Sequence, residues 1–179
     1  MKKIIIPIFI VIIALLLVSC EDKDEVADEI VEFYNEEWVP INDMKEKGMA
    51  DIPLELTRLE EEGESDEVIG LIKDEIIPLL DRVMERLKSV NPKNEKIEKM
   101  IDLQIEAEEF SKNIFGEART YYENDNVTDQ DIEQYNEELD EKYQEVLDYR
   151  DELMEEYNLE QIEKKDRDSN FYKLKREED

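Results

Sequence analysis

The chain has 179 residues, with 23 Lys and Arg against 52 Asp and Glu, one cysteine and no histidine, for a formal net charge of −29. Such a balance argues against nucleic acid, because a DNA or RNA binder needs clustered basic side chains to displace counterions. It also excludes disulfides within the chain, zinc sites of the Cys/His type and histidine-based acid–base or nucleophilic chemistry.

The first element is N-terminal and apolar. Lys2 and Lys3 precede an unbroken apolar run over residues 4–18, interrupted in character only by Pro7. A bilayer core needs about 20 apolar residues in a helix, so the run is short for a membrane span. It fits the apolar region of a secretory signal, about 7–15 residues long. Leu17, Val18, Ser19 and Cys20 then resemble the lipobox of bacterial lipoprotein signal peptides, position by position. That resemblance implies cleavage before Cys20, a diacylglycerol on its sulfur and a further acyl chain, such as palmitate, on its new amino terminus. Residues 1–19 are then a removed signal peptide, and residues 20–25 a lipidated cysteine with a polar tether. The expected location is the extracytoplasmic face of the cell membrane. One acyl chain holds marginally and two hold stably, at about 0.8 kcal/mol per buried CH₂.

The body, residues 26–164, reads as helices throughout. Over 23–47, Val26, Ile30, Phe33, Tyr34, Trp38, Ile41 and Met44 recur in steps of three and four. Pro40 lies inside that run and predicts a kink or break. Ile52-Pro53 opens a shorter helix that ends at Gly63. Ser65 or Asp66 caps the next, whose stripe Ile69, Ile72, Ile76, Leu79, Val83, Leu87 and Val90 continues through Pro78 to Asn91-Pro92. A third long helix covers 94–123, with Met100, Ala107, Ile114 and Tyr121 on one heptad frame and Leu103 and Phe110 on a second. Thr128 and Asp131 resemble a capping box for the last helix. Ile132, Leu139, Val146 and Leu153 form one of its frames; Tyr143, Arg150 and Tyr157 form the other. The pattern carries it to about Lys164. Residues 165–179 are a charged tail in which Phe171, Tyr172 and Leu174 either dock or stay loose. Nothing alternates with period two, so no strand is expected. The predicted fold is all-α: an elongated antiparallel bundle of three long helices plus the kinked first one, with coiled-coil-like seams and acidic outer faces.

Chemistry-bearing clusters are weak by comparison. Glu60-Glu61-Glu62, Glu108-Glu109, Glu137-Glu138 and Glu155-Glu156 could be called acid–base pairs, but neighbouring glutamates on a helix usually face water. Residues 124–131 are rich in oxygen ligands, yet they lack the glycine and closing glutamate of a calcium loop. They are assigned to a turn and cap; no metal and no cofactor is expected. Eight tyrosines and a single tryptophan remain. Tyrosines in the last two helices suit a bundle seam with their hydroxyls at the rim. Trp38, Tyr121 and Tyr122 are the candidate partner contacts.

In size, lipobox and helical acidity the chain is similar to small helical lipoproteins of Gram-positive bacteria, some of them described as cell-wall-binding. Abundant Ile, Lys, Glu and Asn point the same way, to an AT-rich genome. The expected function is a membrane-anchored, non-catalytic interaction module of the cell envelope, meeting a wall polymer or an envelope protein. Two alternatives stand beside it: a glycan hydrolase working through two carboxylates, and a surface protein that binds divalent cations.

Overall fold

The computed structural model describes residues 23–124, 129–162, 169 and 171–177. The signal peptide, Cys20 and tether residues 21 and 22 lie outside them, as do residues 125–128 of the oxygen-rich turn. Four substantial helices pack against one another, and the fold is all-α as predicted.

The first long helix is composite. α1 (Lys23–Phe33) runs into a π-helical turn (Tyr34–Trp38), then into α2 (Val39–Met49). Helical dihedrals persist across both junctions, so Pro40 causes no break. The proline is absorbed instead by widening the turn before it: the Val39 N–H donates to the carbonyl of Tyr34, five residues back. The same device recurs at Pro78. α4 (Ser65–Leu71) continues through a second π-helical turn (Ile72–Ile76) into α5 (Ile77–Ser89), and Ile77 N–H donates to the Ile72 carbonyl. A proline has no N–H and its ring crowds the carbonyl one turn back. A wider turn relieves that crowding and keeps the apolar stripe inward, with Ile72, Ile76, Leu79, Val83 and Leu87 all buried.

Between them, α3 (Ile52–Glu62) closes on Gly63 in the left-handed conformation, φ 73°. α6 (Glu95–Asn124) starts under an Asn94 side chain that accepts from the N–H groups of Lys96 and Ile97, both at 3.0 Å. This is an N-cap that satisfies two otherwise orphan donors. α7 (Asp129–Glu156) follows. Cross-helix pairs give the directions. Lys96 at the start of α6 meets Glu156 at the end of α7, at 3.0 Å. Arg86 of α5 meets Glu37, and Lys112 of α6 meets Asp81 of α5. Successive long helices therefore alternate in direction.

The C-terminal part departs from expectation. α7 stops at Glu156 rather than near Lys164, because Asn158 takes a left-handed conformation, φ 51°, that ends the helix. Two short strands follow, where none was predicted: β1 (Leu159–Ile162) and β2 (Lys173–Arg176) pair antiparallel. The register sets Glu160 opposite Lys175, whose side chains pair at 2.6 Å. Leu159 and Leu174 point into the main core, which runs from Val26 through Trp38 and Leu87 to Leu153. A second apolar cluster gathers Ile52, Leu59, Val68, Ile72, Ile76 and Leu80 around α3 and α4.

A candidate binding cavity beneath Trp38

Trp38 ends the first π-helical turn and is only 2% exposed. Its indole stacks on Tyr34, four residues back, with ring centroids 4.7 Å apart. Phe171, from just before β2, meets it edge-on at 5.5 Å. Beside this aromatic group lies a cavity of about 350 Å³. Met49, Val146, Leu147, Phe171 and Trp38 give it apolar walls; Asn42, Lys45, Glu46, Gln104 and Tyr143 complete the lining. The residues come from the first helix, α6, α7 and the C-terminal segment, so no single element makes the site.

Behind Lys45 and Tyr143 lies a buried carboxylate. Glu108 is 0% exposed. One oxygen accepts from Gln104 Nε2 at 2.6 Å and from Lys45 Nζ at 2.9 Å. The other accepts from the Tyr143 hydroxyl at 3.0 Å. Tyr143 in turn accepts a hydrogen bond from Lys45. Burial pushes the Tyr143 hydroxyl far above the ordinary tyrosine range, and the negative Glu108 beside it adds to the effect. The phenol therefore stays protonated and donates. Lys45 also lies over the Tyr143 ring, 4.2 Å from its centroid. One ammonium, one carboxylate, one amide and one phenol thus satisfy one another across three helices.

Two polar groups around Trp38 differ in kind. Asn42 is buried and its side-chain amide donates to the Trp38 carbonyl, one turn back, at 2.9 Å. Trp38 Nε1, by contrast, is buried and has no acceptor among the described residues. A buried donor left unpaired costs about 1–3 kcal/mol.

The sequence-derived sites fare unequally. Trp38, chosen as a partner contact, lines the cavity. Tyr121 and Tyr122 end α6, and their side chains fall outside the described residues, as do Leu17, Val18, Ser19 and Cys20. Glu108 was expected on a solvated face with Glu109; only Glu109 is exposed, where it pairs with Lys88. The seam of α6 also differs. Leu103 and Phe110 are only half-buried, while Gln104 and Ser111, on the heptad frame of Ile97, are buried. Choosing core positions by apolarity hid a polar stripe. The available signal was spacing, since Ile97, Gln104 and Ser111 are seven residues apart.

Among the described residues, no group of three or more acidic or cysteine side chains could hold a metal ion, and no helix is long and apolar enough to cross a membrane. No family model matches the chain, and no curated protein or solved structure matches it either.

Proposed function

We propose that the chain is a membrane-anchored surface lipoprotein: a non-catalytic binding module of the cell envelope, tethered through Cys20, with the Trp38 cavity as its binding site. The lipobox at residues 17–20 supports the anchor. The observation that carries the binding role is the cavity itself. It combines apolar walls with a few convergent polar groups, the usual composition of a small-molecule site. The buried carboxylate supports binding over hydrolysis. Glu108 is closed in by three donors, whereas a glycosidic acid must face a second carboxyl across the scissile bond.

Two measurements test this. Replacing Cys20→Ala should move the protein from the detergent phase to the aqueous phase on phase partition; unchanged partition would refute the lipid anchor. Placing a photoreactive benzoylphenylalanine at Glu46, on the cavity lining, and irradiating intact cells should give a discrete adduct. Only the unmodified peptide mass after irradiation would refute the binding role.

A further inference from the structure

We propose that the cavity receives an apolar side chain from a basic segment of a partner protein, docked as the chain docks its own residues 171–176. The inference rests on the cavity being the binding site.

A trough runs between the first helix and α7, and β1 and β2 fill one end of it. Leu174 is 1% exposed there, and the Asn35 side chain ties its backbone. Three of the six residues from Phe171 to Arg176 are basic. Each of the three reaches an acidic group. Lys173 lies 3.8 Å from Glu36 and Lys175 2.6 Å from Glu160, while Arg176 pairs with Asp24 and Asp28. The chain thus holds a basic strand on its own acidic surface, with an apolar side chain inward and the cations turned out to carboxylates.

The other end of the trough is the cavity. Met49 of α2 and Leu147 of α7 line it, and Phe171 closes it where the docked segment begins. These three are half-buried, so they are the apolar surface a guest can touch; Trp38 and Val146 are buried and form the floor. At about 350 Å³ it lies at the low end of small-molecule sites, roughly 300–1,000 Å³, which leaves room for a large side chain. An apolar anchor seated in a pocket, with polar contacts around it, is the usual way a protein holds a peptide.

Charge selects the sign of the partner. Lys45 and Glu108 pair at 2.9 Å, and that pair is neutral towards an anion and a cation alike. Glu46 on the lining then leaves the group of three with a single negative charge. Asp43 stands beside Phe171, where it accepts from the Ser169 hydroxyl at 2.8 Å, a neutral donor that does not cancel its charge. The whole chain carries −29. Such a field attracts a basic segment and repels an anionic wall polymer.

The test uses the full-length protein in phosphatidylcholine nanodiscs, with protein-free discs as the blank, and reads affinity by calorimetry. The first probe is the peptide Lys-Leu-Lys-Bpa-Lys-Leu-Lys, where Bpa is photoreactive benzoylphenylalanine. The second has glutamine for every lysine, and the third has glutamate. The fourth keeps the lysines but has serine for leucine and Bpa. The first should bind about tenfold or more tightly than the second and the fourth, and the third should not bind. Irradiation should join the first to Met49 or Leu147. Leu147→Gln should weaken the first and leave the fourth unchanged. If the second or third peptide matches the first, charge does not select the partner and the proposal falls. If the fourth matches it, the attraction is ion atmosphere alone and the proposal falls. Adducts at Ile30 or Asn35 would mean that the peptide displaces residues 171–176 instead of filling the cavity, and would overturn it too. Binding of none of the four, or a sugar-bearing adduct at Glu46 in intact cells, would overturn the protein partner and leave the cavity as a binding site. Absence of any adduct in intact cells would overturn both. The wild-type series decides the matter even if Leu147→Gln fails to fold.

Discussion

Glu108 shows how little an isolated residue type says about its role. It and Glu109 are the same amino acid in neighbouring positions of α6, yet one is sealed among donors and the other reaches Lys88 at the surface. The difference arises from Lys45 and Tyr143, which are distant in sequence. A buried ion pair is not in itself strong evidence of stability, because desolvation offsets much of the attraction. Removing one partner is another matter. Lys45→Met leaves the carboxylate unpaired and should lower unfolding stability by about 3–5 kcal/mol, measured by urea denaturation. Combining Lys45→Met with Glu108→Leu should recover only part of that loss, because the orphan charge is gone but the Gln104 amide and the Tyr143 hydroxyl lose their acceptor. The surface pairs are different: Lys93–Glu32 at 2.6 Å and Arg86–Glu37 at 2.7 Å join exposed side chains, and exposed pairs typically contribute about 0–1 kcal/mol.

Helices here are set by stripes, and their ends by single residues. The two prolines act alike: each sits two residues past a π-helical turn, and each leaves its apolar stripe intact. Gly48 is kept for space rather than flexibility. A Cβ there would lie 2.6 Å from a Leu79 methyl, so α2 and α5 approach closely at that point. Asn158 ends α7 because its backbone turns left-handed, which asparagine tolerates better than most residues. Its carbonyl then accepts from Glu177 N–H at 2.9 Å, next to β2. Asn158→Ala should cost about 1 kcal/mol in thermal or chemical melts, and Asn158→Gly should cost little or nothing. If alanine is as well tolerated as glycine, the left-handed stop is not what ends the helix. The apolar steps of three and four up to Tyr157 could be read in the sequence; the stop could have been inferred from asparagine alone, though asparagine inside helices is common enough to obscure it.

Closure of the molecule depends on its C-terminal segment. Asn35, on the first π-helical turn, uses its side-chain amide as a strand would. Its Nδ2 donates to the Leu174 carbonyl at 2.8 Å, and its Oδ1 accepts from the Leu174 N–H at 2.8 Å. Ser169 adds a hydrogen bond to Asp43, and Arg176 reaches Asp24 and Asp28. These ties hold Phe171 against Trp38. Asn35→Ala removes two of them and should speed hydrogen exchange at the Leu174 amide by about tenfold or more, for a loss of roughly 1–3 kcal/mol. Emission from Trp38, the chain's single tryptophan, should shift to the red as water reaches it. Unchanged exchange and emission would mean that Leu174 burial alone holds the strand. The elongated all-α arrangement, the count of long helices and most of their bounds were determined by the sequence alone, because apolar periodicity and capping act between residues a turn or two apart. The β1–β2 pair, the buried carboxylate and the cavity were decided only by tertiary structure. Each is made by residues far apart in the chain, and local pattern carries no record of which distant groups meet.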